Sequence, residues 1–79
     1  RLKSVAYFRP ILKSKSEKDS DIEFMREHFH LKIPYDECLG FTLNEYIDAY
    51  AEDREEKLFE ALFEKLERLN QAYDFILIE

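Results

Sequence analysis

Glu79 is the residue of this chain whose position first points to chemistry. It follows an uninterrupted apolar run, Phe75-Ile76-Leu77-Ile78, in which no polar residue marks a solvent-facing side. A strand with two apolar faces is typical of a parallel sheet that helices cover on both sides. Ligands of such sheets bind just beyond the carboxyl ends of the strands, where Glu79 would lie. The simpler interpretation, which this stretch alone favours, is a buried strand that ends at a solvated glutamate.

Three other side chains could carry chemistry but give weaker signals. Cys38 is the single cysteine, and its neighbours Asp36 and Glu37 would raise rather than lower its pKa, so we interpret it as a packing residue. His28 and His30 are two positions apart. They therefore do not share a helix face, as a zinc-binding pair at i and i+4 would. We expect both histidines to lie on the surface.

The composition is that of a small, acidic, folded protein. Aromatic residues make up 15% of the chain, which is too many for a disordered segment. The formal charge of −6 argues against nucleic acid and against an anionic membrane surface as partners. There is no apolar stretch of bilayer length and no signal peptide, and a lone thiol is typical of a reducing compartment. We therefore expect a cytoplasmic protein.

Two features predict that the chain is part of a larger domain. It has no initiator methionine, and its single glycine, Gly40, is too few for the phosphate loop of a nucleotide-binding domain. The two predicted strands also look buried, yet 79 residues supply few elements to cover them. We expect the isolated chain to be marginally stable and to self-associate through unpaired strand edges.

The elements that must position Glu79 begin with a strand at the other end of the chain. Residues 3–8 are rich in strand-forming residues, and Arg9 and Pro10 should end the strand, because proline removes a hydrogen-bond donor. Ile11-Leu12 could continue the chain across the sheet edge. The wholly polar stretch 13–20 predicts a mobile loop.

Three helices are predicted between the two strands. The first begins at Ser20 or Asp21, where Ser20 and Glu23 form a capping-box pattern, and the second begins with another such pattern at Thr42 and Glu45. A short extended segment could lie within residues 35–40, after a connection around Pro34. The third helix spans about residues 53–70.

Each helix has an apolar stripe at helical spacing. The stripes are Ile22, Met25 and Phe29 in the first helix, Leu43, Tyr46, Ile47 and Tyr50 in the second, and Leu58, Leu62, Leu66 and Leu69 in the third. Glutamates occupy the opposite face of the third helix. The order strand, helices, strand predicts an α/β fold in which the two strands run parallel and the third helix packs on them through Leu58, Leu62 and Leu66.

Three short motifs resemble those of dethiobiotin synthetase-like P-loop proteins. The segment 5–11, Val-Ala-Tyr-Phe-Arg-Pro-Ile, resembles the family strand that ends in Lys-Pro-Ile or Lys-Pro-Val. The segment 19–21, Asp-Ser-Asp, resembles an acidic element at the following helix start, and the segment 75–79 resembles the Walker B-like strand that ends in Val-Glu-Gly. With the long helical stretch 39–70, the sequence is most similar to the N-terminal domain of bacterial phosphate acetyltransferases.

The resemblance implies roles for three residues. Asp21 and Glu79 match acidic residues that hold the magnesium of bound ATP, while helix N-capping is the simpler role for Asp21. Arg9 matches a lysine that, in the family, points at phosphate or substrate. Arginine keeps the positive charge but presents it on a planar guanidinium instead of a compact ammonium group. A surface ion pair is the simpler role for Arg9. The family's phosphate loop would precede Arg1, and a glycine would follow Glu79.

The resemblance also implies what the larger protein does. In phosphate acetyltransferases this domain is associated with regulation and assembly, whereas a C-terminal domain transfers acetyl between coenzyme A and phosphate. The resemblance thus implies that this chain is a non-catalytic fragment. It also implies that the parent protein is a homo-oligomer with an effector such as Mg-ATP. Two alternatives remain open: an ATP-dependent carboxylase of the dethiobiotin synthetase type or a cobyrinate amidotransferase relative, and a small acidic helical interaction module whose terminal segments would not share a sheet.

Overall fold

The computed structural model describes residues 4–79 and has a three-stranded parallel sheet with three α-helices. In chain order the elements are β1 (Val5–Leu12), α1 (Ser20–His28), β2 (Leu39–Thr42), α2 (Leu43–Ala51), α3 (Glu55–Ala72) and β3 (Phe75–Ile78). A 3₁₀ turn, Tyr35–Cys38, leads into β2. The predicted α/β class is confirmed; Lys3, where the first strand was expected to begin, lies outside the described residues.

The sheet has the order β2-β1-β3, and both neighbouring pairs are parallel. The first half of β1 pairs with β3, from Val5 opposite Phe75 to Phe8 opposite Ile78. The second half of β1 pairs with β2 on its other side. The predicted parallel pairing of the two terminal strands is therefore confirmed, and they are direct neighbours. The helical-module alternative expected the opposite, and in this respect it was wrong.

The expectation that the first strand stops at Arg9 and Pro10 was wrong. Both residues lie inside β1, and Arg9 pairs with Leu39 of β2. Pro10 lies between Arg9 and Ile11, which pair with Leu39 and Phe41 of β2, so the register places Pro10 opposite Gly40. A Cβ atom at Gly40 would lie 2.0 Å from the Pro10 carbonyl oxygen. Only glycine fits this close approach of the two strands.

The cap of α1 differs from the predicted capping box. Ser20 is the first helical residue, and the N-cap is Asp19, whose side chain accepts hydrogen bonds from the backbone N–H groups of Asp21 and Ile22. An aspartate caps a helix at least as well as serine, and the residue before Ser20 is the one placed to reach these donors. The helix ends at His28, before the turn in which His30 takes a left-handed φ of 52°.

The capping box predicted at the start of α2 is confirmed, but the apolar face of this helix is not buried. The N–H of Glu45 donates to Thr42 Oγ1 at 3.0 Å, and the N–H of Thr42 donates to Glu45 Oε1 at 2.8 Å. The exposed fractions are 55% for Leu43, 53% for Ile47 and 64% for Tyr50. Ala49 is the buried residue of α2.

Helix α3 packs on the sheet core through its leucines. Leu69 is buried, and Leu62 and Leu66 pack against the core cluster that contains Ala6, Tyr7 and Phe8 of β1. The half-buried Leu58 faces a cavity beside Leu39 and Phe41 of β2.

Lys65 ties α3 to the chain just before and within β2. Its Nζ donates to the carbonyl oxygens of Asp36 at 3.0 Å and of Leu39 at 2.7 Å. Burial lowers the pKa of Lys65 below its ordinary value. These bonds fix α3 against β2.

Strand β3 was expected to be covered by helices on both sides, and within residues 4–79 it is not. Phe75 is 56%, Leu77 50% and Ile78 59% exposed, whereas only Ile76 packs against the core. The sheet is therefore short of covering elements at this edge, as the sequence predicted. No helix among the described residues is long and apolar enough to cross a membrane.

Candidate functional site

A polar cluster gathers on one face of the sheet where β3 ends. Tyr7 and Arg9 are two residues apart in β1 and so point to the same face. Glu79 directly follows β3, and its backbone N–H donates to the Phe8 carbonyl oxygen at 3.1 Å, which extends the ladder by one residue. Helix α1 begins beside this cluster. We call Tyr7, Arg9, Asp19, Asp21 and Glu79 the edge cluster.

Arg9 is the centre of the edge cluster. Its Nη1 donates to Asp21 Oδ2 at 2.8 Å and to both Asp19 carboxylate oxygens at 3.2 Å. Burial alone would lower the pKa of Arg9, but Asp19 and the other anionic neighbours outweigh it and hold this pKa above its ordinary value. Arg9 Nε is buried and has no hydrogen-bond partner among the described residues, so one donor of the guanidinium is unused.

Asp19 fixes the position of Arg9 relative to α1. Besides capping the helix and pairing with Arg9, its backbone N–H donates to the Tyr35 hydroxyl at 2.6 Å. The Asp19 side chain is 19% exposed, whereas that of Asp21 is 64% exposed. Asp19 is therefore the structural carboxylate, and Asp21 is the carboxylate that solvent or a ligand can reach.

Tyr7 links the centre of the sheet to Glu79. Its hydroxyl donates to Glu79 Oε1 at 2.9 Å, and the residue is 1% exposed. Burial, together with the hydrogen bond to the Glu79 carboxylate, raises the pKa of Tyr7 to about 12. The tyrosine stays protonated at neutral pH and holds the carboxylate at the strand end.

The edge cluster can offer oxygen ligands to a cation but cannot enclose one. Asp21 Oδ1 and Glu79 Oε2 have no hydrogen bond among residues 4–79. In the same part of the chain, no three His, Cys, Asp or Glu side chains converge closely enough to hold a metal ion. Two single carboxylate oxygens suit Mg²⁺, which takes few protein ligands and keeps waters or phosphate oxygens for the rest.

The structure brings the three sequence-predicted site residues onto one face. Arg9 and Asp21 form an ion pair, so the ion-pair interpretation of Arg9 is confirmed, and Glu79 is hydrogen-bonded to Tyr7, which lies on the same face of β1 as Arg9. Asp21 is not the helix N-cap, because Asp19 fills that position. Their roles in holding magnesium or phosphate remain predictions.

Sequence reasoning missed Tyr7 and Asp19 as members of the cluster. The i, i+2 spacing of Tyr7 and Arg9 within a strand was the signal for the first, since both then share a face. For Asp19, the signal was the preference of aspartate for the N-cap position one residue before the helix.

The residues interpreted as structural behave as expected. Cys38 is fully buried, and burial raises its pKa to about 11, so the thiol is inert at neutral pH. His28 and His30 are exposed, and His28 stacks on Phe24 with a ring-centroid distance of 5.0 Å.

A comparison with curated proteins finds one enzyme whose sequence resembles most of this chain. The phosphate acetyltransferase of Nitratidesulfovibrio vulgaris (strain Hildenborough) is 31% identical over 80 residues, which is 99% of this chain and 11% of that protein. No family model matches the chain, and no solved structure matches it. The chain is therefore similar, over nearly its whole length, to one segment that makes up about a ninth of a phosphate acetyltransferase.

Proposed function

We propose that this chain is part of a regulatory and assembly domain of a phosphate acetyltransferase and does not itself transfer acetyl groups. The observation that carries the proposal is the 31% identity with a phosphate acetyltransferase over 99% of the chain. The parallel sheet is compatible with the N-terminal, dethiobiotin synthetase-like domain that the motifs resemble. The alternative is that the chain belongs to a carboxylase or amidotransferase relative. The sequence identity with an acetyltransferase supports the acetyltransferase assignment better than this alternative.

The side chains of the chain support a non-catalytic role. Its one thiol, Cys38, is buried and protonated at neutral pH, and both histidines are exposed. The polar groups of the edge cluster are mostly engaged with one another. Such a cluster is suited to binding and orienting a ligand rather than to attacking one.

The test compares the full-length parent with a version that lacks the domain containing these residues. We expect the shortened enzyme to keep acetyl transfer from acetyl-CoA to phosphate, and to lose its native oligomeric state or its response to effectors. Circular dichroism checks that the shortened protein is folded. If it is folded and correctly assembled but inactive, the domain carries catalytic residues and the proposal is wrong. If the full-length parent itself transfers no acetyl group, the acetyltransferase assignment fails.

A second candidate function is recognition of a magnesium-bound nucleotide at the edge cluster. The specific observation is that, within residues 4–79, Asp21 and Glu79 each have one carboxylate oxygen without a hydrogen bond, and that the buried Nε of Arg9 also lacks a partner there. Asp21 and Glu79 would hold Mg²⁺, which neutralises phosphate charge, and the Arg9 guanidinium would donate to a phosphate oxygen.

Titration of the full-length parent with Mg-ATP tests this site. Glu79→Gln keeps the size of the side chain and a hydrogen-bond acceptor for Tyr7 but removes the charge, so it should weaken Mg-ATP binding about tenfold or more. Glu67→Gln, on the exposed face of α3, is the matched control and should leave binding unchanged. Equal affinity of Glu79→Gln and the wild type would contradict the site. We expect no measurable ATP binding by residues 1–79 alone, because the phosphate loop supplies most backbone donors in this family.

A further inference from the structure

A cavity between α3 and β2 gathers positive charge. Its volume is about 350 Å³, and no residue of the edge cluster lines it. Leucines of both elements form its apolar lining, while three cationic side chains also line it: Lys15 from the loop before α1, and Lys65 and Arg68 from α3. The chain as a whole is acidic, with a formal charge of −6, so this concentration of positive charge is local. We call it the cationic cavity.

Two acidic side chains also line the cationic cavity, but they do not cancel its charge. Glu45 Oε1 accepts a hydrogen bond from the Thr42 N–H at 2.8 Å and lies 3.0 Å from Lys15 Nζ, so this carboxylate is held by the capping box of α2. Glu64 is exposed, and within residues 4–79 it forms no ion pair with Arg68, although the two are four residues apart on α3. The cationic side chains of the cavity therefore outnumber the acidic ones.

Lys65 has a donor left for a ligand. Its ammonium group carries three N–H bonds, and two of them donate to the carbonyl oxygens of Asp36 and Leu39. The third has no acceptor among residues 4–79. Burial lowers the pKa of Lys65, and the positive charges of Lys15 and Arg68 lower it further, while two acidic neighbours act in the opposite direction. An anion placed among the three cations would relieve their repulsion.

Arg68 is the cation of the cavity that is least engaged with the protein. Its guanidinium makes no hydrogen bond or ion pair with any residue of the range 4–79, and the residue is exposed. A guanidinium presents its N–H donors as a planar fork that matches two oxygens of a phosphate group. Arg68 can therefore contact a ligand without losing a bond inside the protein.

We propose that the cationic cavity binds a small phosphate-bearing anion, which Lys15, Lys65 and Arg68 hold together. A phosphate group carries about −1.5 to −2 charge at pH 7 and offers three strong acceptor oxygens, so it suits three cationic donors better than a carboxylate does. The cavity lies near the lower end of the roughly 300–1,000 Å³ of small-molecule sites, so the ligand is inorganic phosphate or a small phosphomonoester. Because Lys15 lies in the loop that leads to Asp19, the bound anion joins this loop to α3.

Residue-resolved amine labelling of the full-length parent tests this site. The protein reacts with an N-hydroxysuccinimide ester at increasing concentrations of inorganic phosphate, and mass spectrometry measures each lysine separately. A bound anion raises the pKa of an ammonium group, and one pKa unit leaves about tenfold less free amine. We therefore expect labelling of Lys15 and Lys65 to slow about tenfold at saturating phosphate. Phosphate bound elsewhere in the parent does not alter this readout, because it belongs to single residues.

Two controls separate binding from general effects of salt. Lys57 is exposed on α3 but does not line the cavity, so its rate of labelling should not change. Sodium chloride at the same ionic strength should protect none of the three lysines, because it screens charges without occupying the site.

A pair of variants on α3 tests the role of Arg68. Arg68→Gln removes the charge and the fork, and we expect the phosphate concentration that gives half of the protection to rise about tenfold or more. Lys57→Gln makes the same change of charge on the same helix and should leave this concentration unchanged. Circular dichroism checks that both variants are folded, which we expect because both side chains are exposed.

The choice of anion distinguishes the sources of the phosphate group. Protection by inorganic phosphate alone assigns free phosphate to the cavity, whereas protection by glycerol 2-phosphate at lower concentration assigns an organic phosphate. The proposal is overturned if neither protects Lys15 and Lys65 at up to about 50 mM. Equal protection by chloride or acetate, equal protection of Lys57, or an unchanged midpoint in Arg68→Gln would also overturn it. Acetyl transfer is not part of the measurement, so the acetyltransferase assignment is tested separately.

Discussion

The paired stretches of β1 and β3 are both apolar but differ in burial. Ala6, Tyr7 and Phe8 of β1 are at most 1% exposed, while two of the residues opposite them, Leu77 and Ile78, are 50% and 59% exposed. The half of β1 that pairs with β3 (residues 5–8) and β3 itself are both continuous apolar runs, so composition does not explain the difference. β1 has a strand on each side, whereas β3 has one strand neighbour within residues 4–79. An apolar run therefore does not by itself decide burial, which depends on the elements that pack beside the strand.

The largest effect on the free energy of unfolding should come from truncating a buried side chain of β1. Phe8→Ala leaves a cavity in the core, and we expect it to lower the free energy of unfolding of the 79-residue chain by ~3–5 kcal/mol. Leu77→Ala, on the exposed strand, should cost less than about 1 kcal/mol. Urea denaturation followed by circular dichroism measures both. Equal losses would show that β3 is covered in the isolated chain, for example by self-association.

An intermediate effect on stability is expected at high pH. It comes from Tyr7, whose hydroxyl joins the two strands. Its pKa is about 12 in the folded chain against an ordinary value of 10.0, so the unfolded chain loses this proton first. The stabilisation is complete below about pH 10 and is lost as the pH rises to about 12, by at most ~2–3 kcal/mol.

Replacing single tyrosines isolates this contribution. Tyr7→Phe should remove that part of the alkaline loss of stability, and the tyrosinate absorbance that titrates near pH 12. Tyr50→Phe is the control, since Tyr50 is 64% exposed and its loss should change neither. If Tyr7 titrates at the ordinary tyrosine pKa of about 10, Glu79 and Tyr7 are not bonded in solution.

The smallest expected effect is the difference in unfolding free energy between variants of the two aspartates that pair with Arg9. Asp19→Ala removes the N-cap of α1 and the more buried partner of Arg9, so we expect a loss of ~1–2 kcal/mol in unfolding free energy. Asp21→Ala removes an ion pair with a 64% exposed carboxylate and should cost less than about 0.5 kcal/mol. Thermal unfolding at matched pH compares them. A larger loss for Asp21→Ala would reverse the structural and ligand-facing roles assigned to these residues.

The sequence alone determined the features that depend on neighbouring residues. Hydrophobic periodicity located all three helices, the Thr42–Glu45 spacing identified the capping box of α2, and continuous apolar runs identified two parallel strands. These signals are local, because the hydrogen bonds and apolar stripes that they describe lie within one segment. The placement of Glu79 at a strand end also followed from the strand prediction.

Only the tertiary structure decided the features that depend on contacts between distant segments. Pro10 lies within a strand, opposite Gly40 in the register of β1 with β2, and Gly40 is required because the Pro10 carbonyl approaches it. The bond between Tyr7 and Glu79 joins residues 72 positions apart. Such contacts depend on strand order and register, which local patterns do not encode. The exposure of β3 was decided in the same way, because burial is a property of the neighbours that a strand has and not of its own residues.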